Sequence, residues 1–341
     1  MASGTQTLTN PPTAGATPQL ARWRNTVRSL SSSGSLQSVL VWGLVFAAIP
    51  LSRLFSSHFP SKALIDTSIM LGLFLAIVAF GQGLVILSGG IDLSVASSIA
   101  LSAFFTGYLA TAGLPTALAI LGGLAIASIG GLINGLIVSR SSFPPFIVTL
   151  AVSTIAASIL LGFSSGKPGQ KAPKELVALF DGQLNFFGIA PSVILLAVVL
   201  LGGYWLQSKT SFGRRVYAIG NSAAAAKIAG LRAKSITLLV YWAASLAYGV
   251  AGVLLLGYGS GSDLNIGASW LLPSIAVVVV GGSAIAGGSG SYVGTVGAAL
   301  LLTIVSIDIS AAGFSEGVKQ ILYGAIILLA LLLAKFGGRR R

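Results

Sequence analysis

Asp92 sits in a chain that holds only 7 Asp and Glu against 20 Lys and Arg, inside the segment Gly81-Gln-Gly-Leu-Val-Ile-Leu-Ser-Gly-Gly-Ile-Asp-Leu-Ser94. A charge left in hydrocarbon costs about 2.5 to 3.5 kcal/mol even on the mildest scale, so this carboxylate needs a wet or protein-lined place. The two glycines ahead of it interrupt an apolar run, the pattern of a broken membrane helix beside an aqueous path. Gln82 and Asn134, also set within apolar runs, are the other candidates for lining such a path. Two plainer readings stand beside this one. Asp92, followed by Leu93 and Ser94, could simply open the next helix by accepting backbone N–H bonds, and Asn134 could serve helix packing alone.

Covalent chemistry finds no support. Gly162-Phe-Ser-Ser-Gly166-Lys167-Pro168 resembles a phosphate loop only loosely, with one residue too few between the glycines and proline where a magnesium-binding hydroxyl belongs. The glycine-rich stretches 257–261 and 287–290 lie among apolar runs, without the strand and helix of a dinucleotide fold. A single histidine, His58, and no cysteine exclude a thiolate metal site and leave no triad. The expectation is therefore a chain with no catalytic residues, no metal and no cofactor of its own.

The elements that must position these residues follow from composition. With 55% apolar residues, 8% charged residues and a mean hydropathy of +0.93, the surface mostly faces lipid. Runs long enough to span a bilayer fall near 36–56, 64–88, 94–112, 116–138, 145–163, 190–207, 236–257, 270–286, 292–309 and 317–335. The expected fold is an all-α polytopic membrane protein of about ten transmembrane helices with broken or re-entrant elements. The weakest spans are the eighth and ninth, where 281–290 could be a tight turn or a re-entrant element. Residues 1–35 read as a disordered cytoplasmic tail and 36–335 as the transmembrane domain, with 336–341 a basic cytoplasmic C-terminus.

Charge sets the orientation. With a cytoplasmic N-terminus, fourteen of the 20 basic residues fall on inner segments, so the excess of positive charge reads as topology and not as nucleic-acid binding. Segment 208–235 is then cytoplasmic and 164–189 lies outside. Within the fourth span Ala119, Gly123, Ala127, Gly131 and Gly135 recur at every fourth position, one stripe on which a neighbouring helix should lie.

Several separated motifs share an order with a known family: Val85-Ile-Leu-Ser-Gly-Gly-Ile-Asp-Leu-Ser-Val95, Asn134-Gly-Leu-Ile-Val138, Pro144-Pro-Phe-Ile-Val-Thr-Leu150, Phe212-Gly-Arg-Arg-Val-Tyr-Ala-Ile-Gly-Asn221 and Val280-Gly-Gly-Ser-Ala-Ile-Ala-Gly-Gly-Ser-Gly290. Over residues 36 to 335 the chain resembles the permease subunit of ribose-type ABC importers. The resemblance implies a multi-pass subunit of the bacterial inner membrane, paired as a homo- or heterodimer with a second permease subunit. Its further partners would be two cytoplasmic ABC ATPases and a periplasmic sugar-binding protein. It implies import of a ribose-like monosaccharide by alternating access, and it makes 212–231 the coupling segment, with Phe212, Gly213, Arg214, Arg215, Gly220, Asn221, Lys227 and Gly230 as candidate contacts to the ATPase. Similar permeases carry acidic residues after the Gly-Asn pair, whereas this chain has Ser222, Ala223 and Ala224. The basic residues taken alone could equally serve topology only. The alternatives are the same importer carrying autoinducer-2, a polyol or a nucleoside, and an ion-coupled secondary transporter. The latter is disfavoured because the spans hold almost no ionisable residues besides Asp92 and Asp308.

Overall fold

The computed structural model describes residues 35–54, 61–167, 169–181 and 191–337. Most of the tail 1–35, His58 and Arg339 to Arg341 lie outside the described residues. Each of the ten expected spans carries a helix: α1 (Ser35–Leu51), α2 (Lys62–Leu87), α3 (Val95–Thr111), α4 (Thr116–Arg140), α5 (Pro145–Ser164), α7 (Pro191–Ser208), α10 (Ala233–Tyr258), α11 (Leu271–Val280), α12 (Tyr292–Ala311) and α13 (Glu316–Gly337). The remaining helices, α6 (Lys174–Val177), α8 (Ser211–Asn221) and α9 (Ala223–Ile228), lie in the two longer polar segments. No strand forms among the described residues, only an isolated bridge between Lys171 and Gly261.

Length separates whole spans from interrupted ones. Among the described residues six helices are long and apolar enough to cross a membrane, seven if α7 and α8, bent by 57° at their junction, are one span. The eighth expected span is corrected: its helix ends at Val280 instead of running to 286. Ten residues rise about 15 Å, half of a bilayer's hydrocarbon core. Helices α2 and α11 end alike. Gly89 (φ +89°) follows α2 and Gly282 (φ +99°) follows α11, each in the left-handed region that glycine adopts without strain. Their N–H groups donate to Ile86 and Val279 at 2.9 and 3.0 Å, which closes the last turn of each helix.

Enclosure is uneven. Helices α2 and α10 are the most deeply buried, while α1, α4 and α5 bury only one side. Exposed Leu121, Ile129, Ile133, Ile155 and Ile159 on α4 and α5 suit a surface whose solvent is lipid. The inward face of α4 consists of Ala119, Gly123, Ala127, Gly131, Asn134 and Gly135. A Cβ on Gly123 would collide with Thr106 Oγ1 of α3, and one on Gly131 with Ser245 Oγ of α10, while one on Gly135 would stand 2.8 Å from the Leu238 backbone of α10. Two helices thus lie in the groove of the stripe, α3 towards one end and α10 towards the other.

Candidate functional site

Two constellations hold the candidate residues, both built around the break between α2 and α3. In the first, Asp92 Oδ1 accepts the Ser94 backbone N–H at 2.8 Å and the Ser94 hydroxyl at 2.6 Å. The Asn134 amide of α4 donates to that same hydroxyl at 2.9 Å. Asp92 therefore orders the entrance to α3 through Ser94, which occupies the N-cap position. The Thr149 hydroxyl of α5 accepts the Leu93 N–H at 2.9 Å, tying the break to a further helix.

Gln82 lies one level away, where its carbonyl accepts the Tyr248 hydroxyl of α10 at 3.1 Å. Beside the break, the Tyr241 hydroxyl stands so close to Gly90 that a Cβ there would lie 2.5 Å from it. Gln82, Asp92 and Asn134 are all fully buried. Four polar atoms of this group, Gln82 Nε2, Asp92 Oδ2, Asn134 Oδ1 and Tyr241 Oη, have no hydrogen-bond partner among the described residues. Such atoms are costly in a dry interior, about 1 to 3 kcal/mol each, and they form one buried polar seam between α2, the break, α4 and α10.

The second constellation is the basic segment. At the bend after α7, Thr210 caps α8 by accepting the Gly213 N–H at 3.2 Å, and a Cβ on Gly213 would collide with the Gln207 carbonyl. One face of α8, with Gly213, Val216 and Ile219, is buried. Burying the two aliphatic side chains stabilises this seat by about 1.5 to 3 kcal/mol each. Arg214 and Arg215 point outward and Phe212 is half-buried.

Asn221 ends α8 against the second glycine turn. Its side-chain amide donates to the Gly288 carbonyl and to the Tyr217 carbonyl, both at 3.0 Å. Gly288 in turn donates its N–H to the Leu87 carbonyl at 2.9 Å, the last helical residue of α2. The Tyr217 hydroxyl donates to the Gly290 carbonyl at 2.9 Å and receives the Gln207 amide at 2.9 Å. A Cβ on Gly220 would collide with the Leu87 carbonyl oxygen, so only glycine permits this approach. The end of α8 is thereby bonded to the turn beyond α11 and packed against the end of α2.

Ser222 then caps α9, accepting the Ala225 N–H at 3.2 Å. This short helix ends at Gly230 (φ +78°), whose N–H donates to Lys227 at 3.0 Å while Leu231 donates to Ala226 at 3.0 Å. That pair of bonds is the Schellman motif. Lys227 is exposed, and Ile228 is 89% exposed.

Tyr217, Gln207, Tyr241, Tyr248 and Gly288 were not singled out by sequence reasoning. Tyr217 and Gly288 do fall inside quoted motifs, and hydroxyls within apolar runs were the available signal for Tyr241 and Tyr248. No group of His, Asp and Glu that could hold a metal occurs among the described residues.

A bundle of apolar helices with a broken span, a buried polar seam and an exposed basic arm bonded to the turn beyond α11 is the architecture of a polytopic membrane subunit. Residues 64–331 match the family described as "Branched-chain amino acid transport system / permease component", and the chain belongs to that family. It is 34% identical over 257 residues to the ribose import permease protein RbsC of Bacillus subtilis, covering 75% of this chain and 80% of that protein. It is 34% identical to the probable ABC transporter permease protein y4mJ of Sinorhizobium fredii, over 78% and 80% of the two chains. With the autoinducer 2 import system permease protein LsrD of Salmonella typhimurium it shares 30% identity over 85% and 90%. The resemblance to ribose-type ABC permeases is thereby shown at the level of family.

Proposed function

We propose that the chain is the membrane-spanning subunit of an ATP-driven importer for a monosaccharide or closely related solute, acting as a homo- or heterodimer. Two cytoplasmic ATPases and a periplasmic binding protein complete the assembly. In this reading 208–235 and both termini face the cytoplasm and 164–189 faces the periplasm. The names of two relatives, a ribose permease and an autoinducer 2 permease, support a sugar-like solute.

The observation that carries the reading is the bonding of the basic arm to the turn beyond α11, which in turn bonds the end of α2. An ATPase seated on Arg214, Arg215, Lys227 and Ile228 would move α8, and α8 cannot move without pulling on Gly288, Gly290 and Leu87. Leu87 leads through Ser88 to Gly90 into the Asp92 segment. The proposed role of Gln82, Asp92 and Asn134 is to line the path once α10 separates from α2 and α4, and to seal it otherwise. Transport by such alternation needs two arrangements of a packed bundle with different affinities for the partners.

The test is reconstitution of the permease with its ATPase and binding protein in proteoliposomes. D-ribose and autoinducer 2 are offered on the binding protein, and leucine serves as a competitor class suggested by the family's description. ATP-dependent uptake of a sugar-like solute is expected; uptake of leucine alone, or uptake without ATP, would sink the reading.

A further inference from the structure

A cavity of about 320 Å³ opens at the end of the bundle opposite α8 and α9, between α2, the start of α11, the end of α12 and the start of α13. That volume is in the range of small-molecule sites. Its floor is closed by buried Leu75, Pro273, Thr303 and Tyr323, while Ser269, Ser310 and Glu316 at the rim are exposed. Thr303, Ser306 and Ser310 recur three and four residues apart, which sets their hydroxyls along one face of α12. Trp270 supplies an aromatic side chain to the lining, with Leu71, Leu75, Pro273 and Ile307 its aliphatic part. Lys319 Nζ lies 2.9 Å from Glu316 Oε2, and the lysine side chain is only 15% exposed.

The chemistry of this lining selects a ligand class. An aromatic wall meets the C–H face of a ring, and a row of hydroxyls meets its O–H edge. The Glu316–Lys319 pair offers an acceptor and a donor whose charges already cancel, so the site favours neither an anion nor a cation. We propose that this cavity is a receiving subsite for a neutral polyhydroxylated solute, occupied between release by the binding protein and passage through the bundle. The proposal rests on the reading of the chain as a sugar importer and adds the residues that take the solute up. None of the lining residues belongs to the seam or to the basic arm, so its function is separable from theirs.

The experiment uses the complete complex of permease, ATPases and binding protein, with D-ribose as probe. For Trp270→Ala and Thr303→Val, sugar moved per ATP hydrolysed should fall at least threefold, because released solute escapes instead of being held, while Trp270→Phe should stay within twofold of wild type. A purely structural role would lower uptake and ATP hydrolysis together and leave the ratio unchanged, which would overturn the subsite. As a second measurement, Ser310→Cys in this cysteine-free chain should react with an impermeant thiol reagent at least threefold more slowly at high millimolar D-ribose, and at an unchanged rate with leucine. Protection by leucine instead would overturn the assignment to a polyol. A wild-type complex that moves no sugar defeats the importer reading and the subsite with it, whereas wild-type uptake with unchanged variant ratios defeats the subsite alone.

Discussion

The Asn221 side-chain amide donates to the Gly288 carbonyl at 3.0 Å, and this one bond joins the end of the basic arm to the turn that also caps α2 through Leu87. Asn221→Ala removes it at a net cost of about 1 kcal/mol, too little to unfold the bundle. ATP hydrolysis stimulated by loaded binding protein should therefore fall several-fold in Asn221→Ala with insertion intact. Full stimulation and full uptake in that variant would show that the bond transmits nothing.

Gly230 ends α9 at φ +78°, with open space where a Cβ would stand. Its requirement is conformational, so Gly230→Val should cost about 1 to 2 kcal/mol and distort the exposed end of the arm. Gly230→Asn should be better tolerated, since asparagine visits this region. The comparison is stimulated ATP hydrolysis in the reconstituted complex; equal values for Val, Asn and wild type would rule out α9 as the coupling contact.

The packing stripe supplies its own control. Gly131→Leu would drive a side chain into Ser245 and the Tyr241 carbonyl, whereas Gly130, next to it, has nothing within 4 Å. Folded yield should drop for Gly131→Leu by an overpacking penalty of about 1 to 3 kcal/mol or more and stay at the wild-type level for Gly130→Leu. Equal yields, measured as monodisperse protein by size exclusion, would contradict the packing described for α4 and α10.

Orientation is open to direct labelling, because the chain contains no cysteine. Ala224→Cys on α9 and Lys167→Cys in the opposite segment both place an exposed thiol. An impermeant reagent added outside spheroplasts should modify the second and spare the first. The reverse pattern would invert the proposed topology.

Asp92 is expected to act on stability before it acts on transport. Asp92→Ala strips the Ser94 N–H and hydroxyl of their acceptor, which should lower stability by about 1 to 3 kcal/mol. Asp92→Asn keeps an oxygen in place and should lose less. Thermal unfolding of the purified protein reads both, and an Asp92→Ala midpoint equal to wild type would show that the break needs no carboxylate.

What the sequence determined by itself was whatever depends on neighbours in the chain. Apolar runs long enough to cross a bilayer announced the helices, and the four-residue repeat of Ala119 to Gly135 announced the buried face of α4. Each is a consequence of helix geometry over one or a few turns. Only the tertiary structure decided the rest. Gln82 meets Tyr248 across 166 residues, and Gly220 is required not by its own backbone angles but by the Leu87 carbonyl pressed against it. The place where α11 stops was ambiguous in sequence, because its valines continue into glycines that serve a turn or a helix contact equally well. The cavity beside Trp270 was invisible for the same physical reason: its walls come from four helices whose distances no local pattern specifies. In lipid, where apolar surface gains little from hiding, close backbone approach and long-range hydrogen bonds choose the partners.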